Sequence, residues 1–113
     1  MRHRLEVAAK KGMLADSAMI AHGRGEAYDY LLGERTIPSA HFASQIALQS
    51  LQQAEYPVLS VNGNVVALAG DEVLHLAEKL NCPVEVNIFY RTPERMHALL
   101  SDLNDRKKRL GVE

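Results

Sequence analysis

The sequence predicts an α/β fold: a parallel βαβ core with additional helices on its N-terminal side. Three observations predict it. Val58-Leu59-Ser60-Val61 is a short, apolar, β-branched run bounded by Pro57 and Asn62-Gly63, as a buried strand is. Val84-Glu85-Val86-Asn87-Ile88-Phe89 alternates with the period of a second strand. Between them Val73, Leu76, Ala77 and Leu80 fall at i, i+3, i+4 and i+7, the apolar stripe of a helix. Short connections in the order strand, helix, strand make the strands parallel and the crossover right-handed.

The remaining elements follow in chain order. Residues 3–13 read as a helix with Leu5, Ala8, Ala9 and Met13 on one side and Arg4, Lys10 and Lys11 elsewhere. Ala18-Met19-Ile20-Ala21 fits a short buried strand or an extended lead-in to a glycine loop. A helix is expected from Gly25 to Leu32, with Glu26 in its first turn and Gly33 as the residue that stops it. Thr36 can cap the next helix and Pro38 sits in its first turn. Phe42, Ala43, Ile46, Ala47, Leu51 and Ala54 supply its apolar face. Asp71 can cap the crossover helix, and Thr92-Pro93-Glu94 combines a cap, a first-turn proline and a first-turn acid. Met96, Leu99, Leu100 and Leu103 form the buried stripe of that last helix.

With 113 residues, the chain is expected to form one domain over residues 1–113. Its 47% hydrophobic content suffices for a core, and its net charge of -1 argues against nucleic acid or an anionic membrane as the main partner. The one concentrated basic run, Arg106-Lys107-Lys108-Arg109, reads as a solvated helix end whose cations complement the dipole. Cys82 is the sole cysteine, so an intrachain disulfide and a thiolate zinc site are excluded. No apolar run approaches the ~20 residues that span a bilayer. The N-terminus does not resemble a signal peptide, so a cytoplasmic location is expected.

The chemistry concentrates in three segments. Ile20-Ala21-His22-Gly23-Arg24-Gly25-Glu26 sets an imidazole, a guanidinium and a carboxylate around two glycines. Glycine lets a large anion approach the main chain, and arginine presents a rigid fork of donors to phosphate or carboxylate. Tyr28 stands where a dinucleotide fingerprint requires glycine. His22 suits loop positioning better than proton transfer, Glu26 and Asp29 are within reach of a cation or amine, and Tyr28 and Tyr30 are expected to pack. Asn62-Gly63-Asn64 and Tyr90-Arg91-Thr92 leave the two strands at their carboxyl ends, where open α/β sheets bind ligands. Arg91 lies beside a helix cap, where the dipole disfavours a cation and an anionic partner offsets that cost. His3, His41, His75 and His97 lack metal-ligand spacing, and neither a P-loop nor a nucleophile elbow is present.

Taken together, Ile20 through Glu34, Pro57 through Val65 and Glu85 through Thr92 resemble archaeal phosphopantothenate synthetase, the 4-phosphopantoate–beta-alanine ligase family, in order and spacing. The resemblance implies a Rossmann-like fold, a homodimer and a step of coenzyme A biosynthesis. In that family ATP and 4-phosphopantoate condense with beta-alanine, releasing AMP and pyrophosphate, with Mg2+ required. Two ATP-binding arginines of the family map onto Arg24 and Arg2. Members are longer, so this chain is expected to correspond to their N-terminal half and its sheet to be incomplete. His22, Gly23, Gly25, Glu26, Asn62, Gly63, Asn64, Tyr90 and Arg91 are the candidate substrate and phosphate contacts, and no residue stands out as a general base. A non-enzymatic nucleotide- or phosphate-binding module using the same clefts is the alternative, and a half-domain inert toward both ligands is a third possibility.

Overall fold

The computed structural model describes residues 1–112. Five helices and two strands run in the order α1 (Arg2–Lys10), α2 (Asp16–Leu32), α3 (Pro38–Gln53), β1 (Leu59–Val61), α4 (Gly63–Leu80), β2 (Val84–Val86) and α5 (Pro93–Leu110). The strands pair in parallel with Leu59, Ser60 and Val61 opposite Val84, Glu85 and Val86. Helix α4 connects them, so the βαβ expectation holds. Only these two strands form a sheet among the described residues. The architecture is a mostly helical α/β unit, and the strands are shorter than the sequence suggested.

One core joins the elements. Leu5 of α1, Val61 of β1, Val66 and Leu74 of α4, Val86 of β2, and Leu99 and Leu103 of α5 are all buried together. Leu5 and Leu99 are wholly inaccessible; burying such a side chain contributes about 1.5–3 kcal/mol. Gly12, at φ 79, reverses the chain after α1. Met13 and Leu14 then tuck beneath the start of α4 and are both buried. Among the residues expected to form the last helix's stripe, Leu100 is corrected: it is 47% exposed, beside a groove rather than in the core.

Further expectations are overturned in three parts of the chain. First, residues 18–24 form neither strand nor loop, because the helix expected from Gly25 begins earlier, and α2 is continuous through His22, Gly23, Arg24 and Gly25. Its two glycines each cost about 1 kcal/mol of helix propensity, but alanine, methionine, glutamate and leucine fill much of the rest and no proline interrupts. No residue of α2 is buried, and its apolar residues do not gather on one face, so the period that signals a helix is missing. Gly33 ends it in the left-handed conformation, φ 87, as expected. Tyr28 and Tyr30 do not pack; they are largely exposed.

Second, the N-cap of α3 is Ile37 without a side-chain bond, so Thr36 does not cap it. Pro38 does occupy the first turn. The face bearing Phe42 and Ile46 is exposed, α3 has no buried residue, and among the described residues it packs against no other element to any extent. A radius of gyration of 15.0 Å reflects this protruding helix, against about 13 Å for a compact chain of this length.

Third, Asp71 is inside α4 and caps nothing. The helix starts at Gly63, capped by Asn62, whose Oδ1 accepts from the Val65 N–H at 2.9 Å. It bends at Ala69, at φ -140 and ψ 25, two residues before Asp71. Gly70 lies under the Arg106 guanidinium, and a Cβ there would sit 2.9 Å from Arg106 Cζ. Arg106 crosses to Asp71 at 2.9 Å and Asp102 at 2.7 Å, and Arg109 reaches Asp71 at 2.8 Å. The basic run at the end of α5 is therefore partly a clamp onto α4 rather than a wholly solvated end. The hydrogen bond from Arg109 is the main reason the Asp71 carboxyl lies below its ordinary pKa; partial burial opposes the shift and Arg106 reinforces it.

Candidate functional site

The carboxyl ends of β1 and β2 open on a cleft of about 550 Å³. One wall is the face of α2 that carries Ser17, Ala21 and Arg24; the floor is the start of α4 with Asn62, Gly63 and Asn64. The segment after β2 brings Ile88, Phe89 and Tyr90, and the first turn of α5 brings Arg95. Local chemistry builds each part. Asn87 N–H bonds Val61 O at 2.8 Å, tying the two strand ends together beyond the ladder. Thr92 Oγ1 accepts from Arg95 N–H at 3.1 Å and starts α5 as the sequence predicts. Phe89 and Tyr90 stack edge to face with centroids 5.0 Å apart, both well exposed.

Arg24, Asn62, Gly63, Asn64 and Tyr90 therefore meet in one place. Within it the two asparagines differ. Asn62 spends its side-chain oxygen on capping α4. Asn64 donates Nδ2–H to Ala18 O at 3.2 Å, joining α4 to α2, and its Oδ1 is buried without a partner. Gly63 is required by packing: a Cβ would stand 2.5 Å from Leu14 Cδ2 and 3.1 Å from Met13 O.

The other candidates lie elsewhere. Arg2, His22 and Glu26 form a cluster where α1 meets α2. Arg2 Nη1 donates to Met19 O at 2.8 Å and lies 3.1 Å from His22 Nδ1 and 3.7 Å from Glu26 Oε1. Glu26 Oε1 is also 3.3 Å from His22 Nδ1. The imidazole thus positions Arg2 rather than a loop. Gly23 leaves room beside Arg2, and Gly25 faces open space. Both glycines are helical, so the expected cradle of loop N–H groups is absent. Arg91 is exposed and does not line the cleft.

Arg95 is the residue that sequence reasoning missed. It lines the cleft, its Nη1 donates to Tyr90 O, and its Nε is buried without a partner. The signal was available: a cation in the first turn of a helix opposes the dipole, and that argument applies to Arg95 as well as to Arg91.

A larger groove of about 960 Å³ lies between the ends of α4 and α5, near the start of β2. Among the described residues its one cation is Lys107, and no buried side-chain polar atom there lacks a partner. The cleft, by contrast, combines two guanidiniums with unmet hydrogen bonds. No histidine, aspartate or glutamate lines it. Among the described residues no group of three His, Cys, Asp or Glu side chains could hold a metal, and no helix is long and apolar enough to cross a membrane.

Comparison with known proteins supplies the chemical context. Residues 39–112, about two thirds of the chain, match the family model described as phosphopantothenate/pantothenate synthetase. The chain is similar to the 4-phosphopantoate–beta-alanine ligase of Thermococcus kodakarensis, with 49% identity over 102 residues. It is 50% identical to that of Thermococcus onnurineus and 45% identical to that of Methanosarcina mazei, each again over 102 residues. These alignments cover 90% of this chain and 39–40% of each relative, so the chain spans about two fifths of the length of the ligases it matches.

Proposed function

Because the chain belongs to the phosphopantothenate/pantothenate synthetase family, we propose that it carries the substrate cleft of an ATP-dependent ligase that joins 4-phosphopantoate to beta-alanine. The observation that carries this reading is the pair of guanidiniums, Arg24 and Arg95, on a cleft at the carboxyl edge of the two strands. Similarity at 49% identity to a protein named for that reaction supports it.

The chemistry sets what the cleft must do. A carboxylate oxygen is a poor leaving group, so the pantoate carboxylate attacks the α-phosphorus of ATP and pyrophosphate departs. The beta-alanine amine then attacks the acyl carbon, AMP departs, and the nitrogen loses a proton. Two polyanions must be held together against their repulsion. Arg24 and Arg95 offset that repulsion, and an arginine aimed at developing phosphate charge stabilises the transition state more than the ground state. With no acid, base or imidazole lining the cleft, the amine arrives deprotonated or releases its proton to water. Arg2 is outside the cleft lining, so its carry-over as an ATP ligand depends on the nucleotide extending along α2 toward the α1 junction. Magnesium is usually held by one or two carboxylates together with substrate phosphates. The cleft offers no carboxylate, so these residues do not fit a protein-held magnesium site and no step is assigned to the ion. The same reading includes a homodimer and a place in coenzyme A biosynthesis.

The test is release of AMP by this chain that requires both 4-phosphopantoate and beta-alanine, measured alongside Arg24→Ala. A charge-assisted hydrogen bond contributes about 1.5–3 kcal/mol, so the substitution should lower turnover roughly 10- to 100-fold. Activity within twofold of the parent removes Arg24 from the site. The two-fifths span of the relatives favours a second reading, a binding module without turnover. Calorimetric binding of ATP or 4-phosphopantoate with no AMP release supports that reading instead.

A further inference from the structure

Two polar atoms in the cleft are incomplete in opposite senses. Asn64 Oδ1 is a buried acceptor without a donor, and Arg95 Nε–H is a buried donor without an acceptor. Both residues line the same cleft. Buried polar groups are nearly always matched, so two unmatched atoms of opposite kind, on residues that line one cleft, specify the groups that would satisfy them.

Their orientations are held from behind. Asn64 donates Nδ2–H to Ala18 O, which assigns the amide and leaves Oδ1 as the free end. Arg95 uses Nη1 on Tyr90 O, and its backbone N–H on Thr92 Oγ1. The edge that remains is Nε with Nη2, the side-on fork that matches the two oxygens of a carboxylate. Leu14, Ala18 and Ile88 supply apolar surface in the same cleft, and Arg24 supplies a second cation. The neighbouring alternatives are used up or misplaced: Asn62 is committed to its helix cap, and Arg91 does not line the cleft.

We propose that Asn64 and Arg95 form a subsite for a 2-hydroxy carboxylate. The substrate hydroxyl donates to Asn64 Oδ1, and the carboxylate lies side-on against the Nε–Nη2 edge of Arg95. The inference rests on the ligase reading, since 4-phosphopantoate is such an acid, and it deepens that reading by assigning the substrate's two functional groups. The dimethyl carbon then meets the apolar surface of Leu14, Ala18 and Ile88.

Calorimetry with 4-phosphopantoate and its 2-deoxy analogue tests the subsite on the parent chain, Asn64→Ala and Arg95→Lys. The parent should prefer the hydroxy compound by about 10-fold. Asn64→Ala should bind the two compounds within twofold of each other, whereas general damage to the cleft weakens both and leaves their ratio intact. Arg95→Lys keeps the charge but loses the fork, so it should weaken both compounds about 10-fold with the ratio preserved. A ratio in Asn64→Ala equal to the parent's overturns the subsite, as does a parent that shows no preference or no binding. AMP release by the parent separates the two levels. Turnover with an unaltered ratio in Asn64→Ala defeats the subsite and leaves the ligase reading standing; a collapsed ratio without turnover does the reverse.

Discussion

Gly63→Ala sets a methyl group against two buried neighbours. The added Cβ would lie 2.5 Å from Leu14 Cδ2 and 3.1 Å from Met13 O. Carbon atoms pack best at about 3.5–4.0 Å, so the Leu14 methyl must retreat by about 1 Å and the carbonyl by a few tenths. Met13 has little freedom, because it is buried at 2% exposure, and Leu14, at 8%, can yield only toward the cleft that it lines. Overpacking of this kind costs about 1–3 kcal/mol. Alanine's better helix propensity recovers less than about 1 kcal/mol at a first helical position. The net loss should be about 1–2 kcal/mol, read in urea as a midpoint lowered by roughly 0.5–1 M with an unchanged slope. Leu14→Val, which withdraws the offending methyl, should be less harmful in the Gly63→Ala background than alone, with a coupling above about 0.5 kcal/mol. An alanine variant as stable as the parent, or strict additivity of the two substitutions, refutes the close-approach account of Gly63.

Two other outcomes follow from the packing. Asp71→Asn removes the carboxylate that joins Arg106 and Arg109 to α4. Because the folded state lowers the Asp71 pKa, its stabilisation is present above the ordinary carboxylate value and is lost as pH falls through the lowered one. The variant's deficit in urea midpoint should therefore be full near pH 6 and shrink below about pH 4; an equal deficit near pH 3 contradicts the role given to the carboxylate. Ile46→Lys, on the exposed face of α3, should change global stability by less than about 0.5 kcal/mol, and a loss above about 1 kcal/mol means that α3 is packed in solution.

The parts of the fold legible in the sequence are those in which local pattern and tertiary burial agree. Thr92-Pro93 starts α5 by chemistry confined to one turn. Val61 and Val86 are the buried residues of short apolar runs. The misreadings have the opposite character. In α2 the glycines suggest a loop, yet nothing on that helix needs burial, so no periodicity contradicts the loop reading. In α3 the periodicity is real, but a stripe does not say whether a partner exists. Of the candidate site, Asn62, Gly63, Asn64 and Tyr90 were visible because turn chemistry at strand ends marks the carboxyl edge, and Arg24 because two glycines flank it, although they lie in a helix rather than a loop. Arg95 was not, because its place depends on which way the first turn of α5 faces. That direction is set by the packing of Leu99 and Leu103 against the core.

The isolation of α3 reaches beyond its own surface. A helix of 16 residues that packs on no other element to any extent among the described residues depends on its own sequence for helicity, and isolated helices of about this length are marginal in water. Its amides should open on the sub-microsecond timescale of helix–coil exchange, whereas those beside Leu74 and Leu99 open only when the core does. The chain thus carries two kinds of thermal transition, one gradual and one cooperative. Circular dichroism, which sums all helical residues, would blend them, so a melting curve fitted to a single two-state step describes neither.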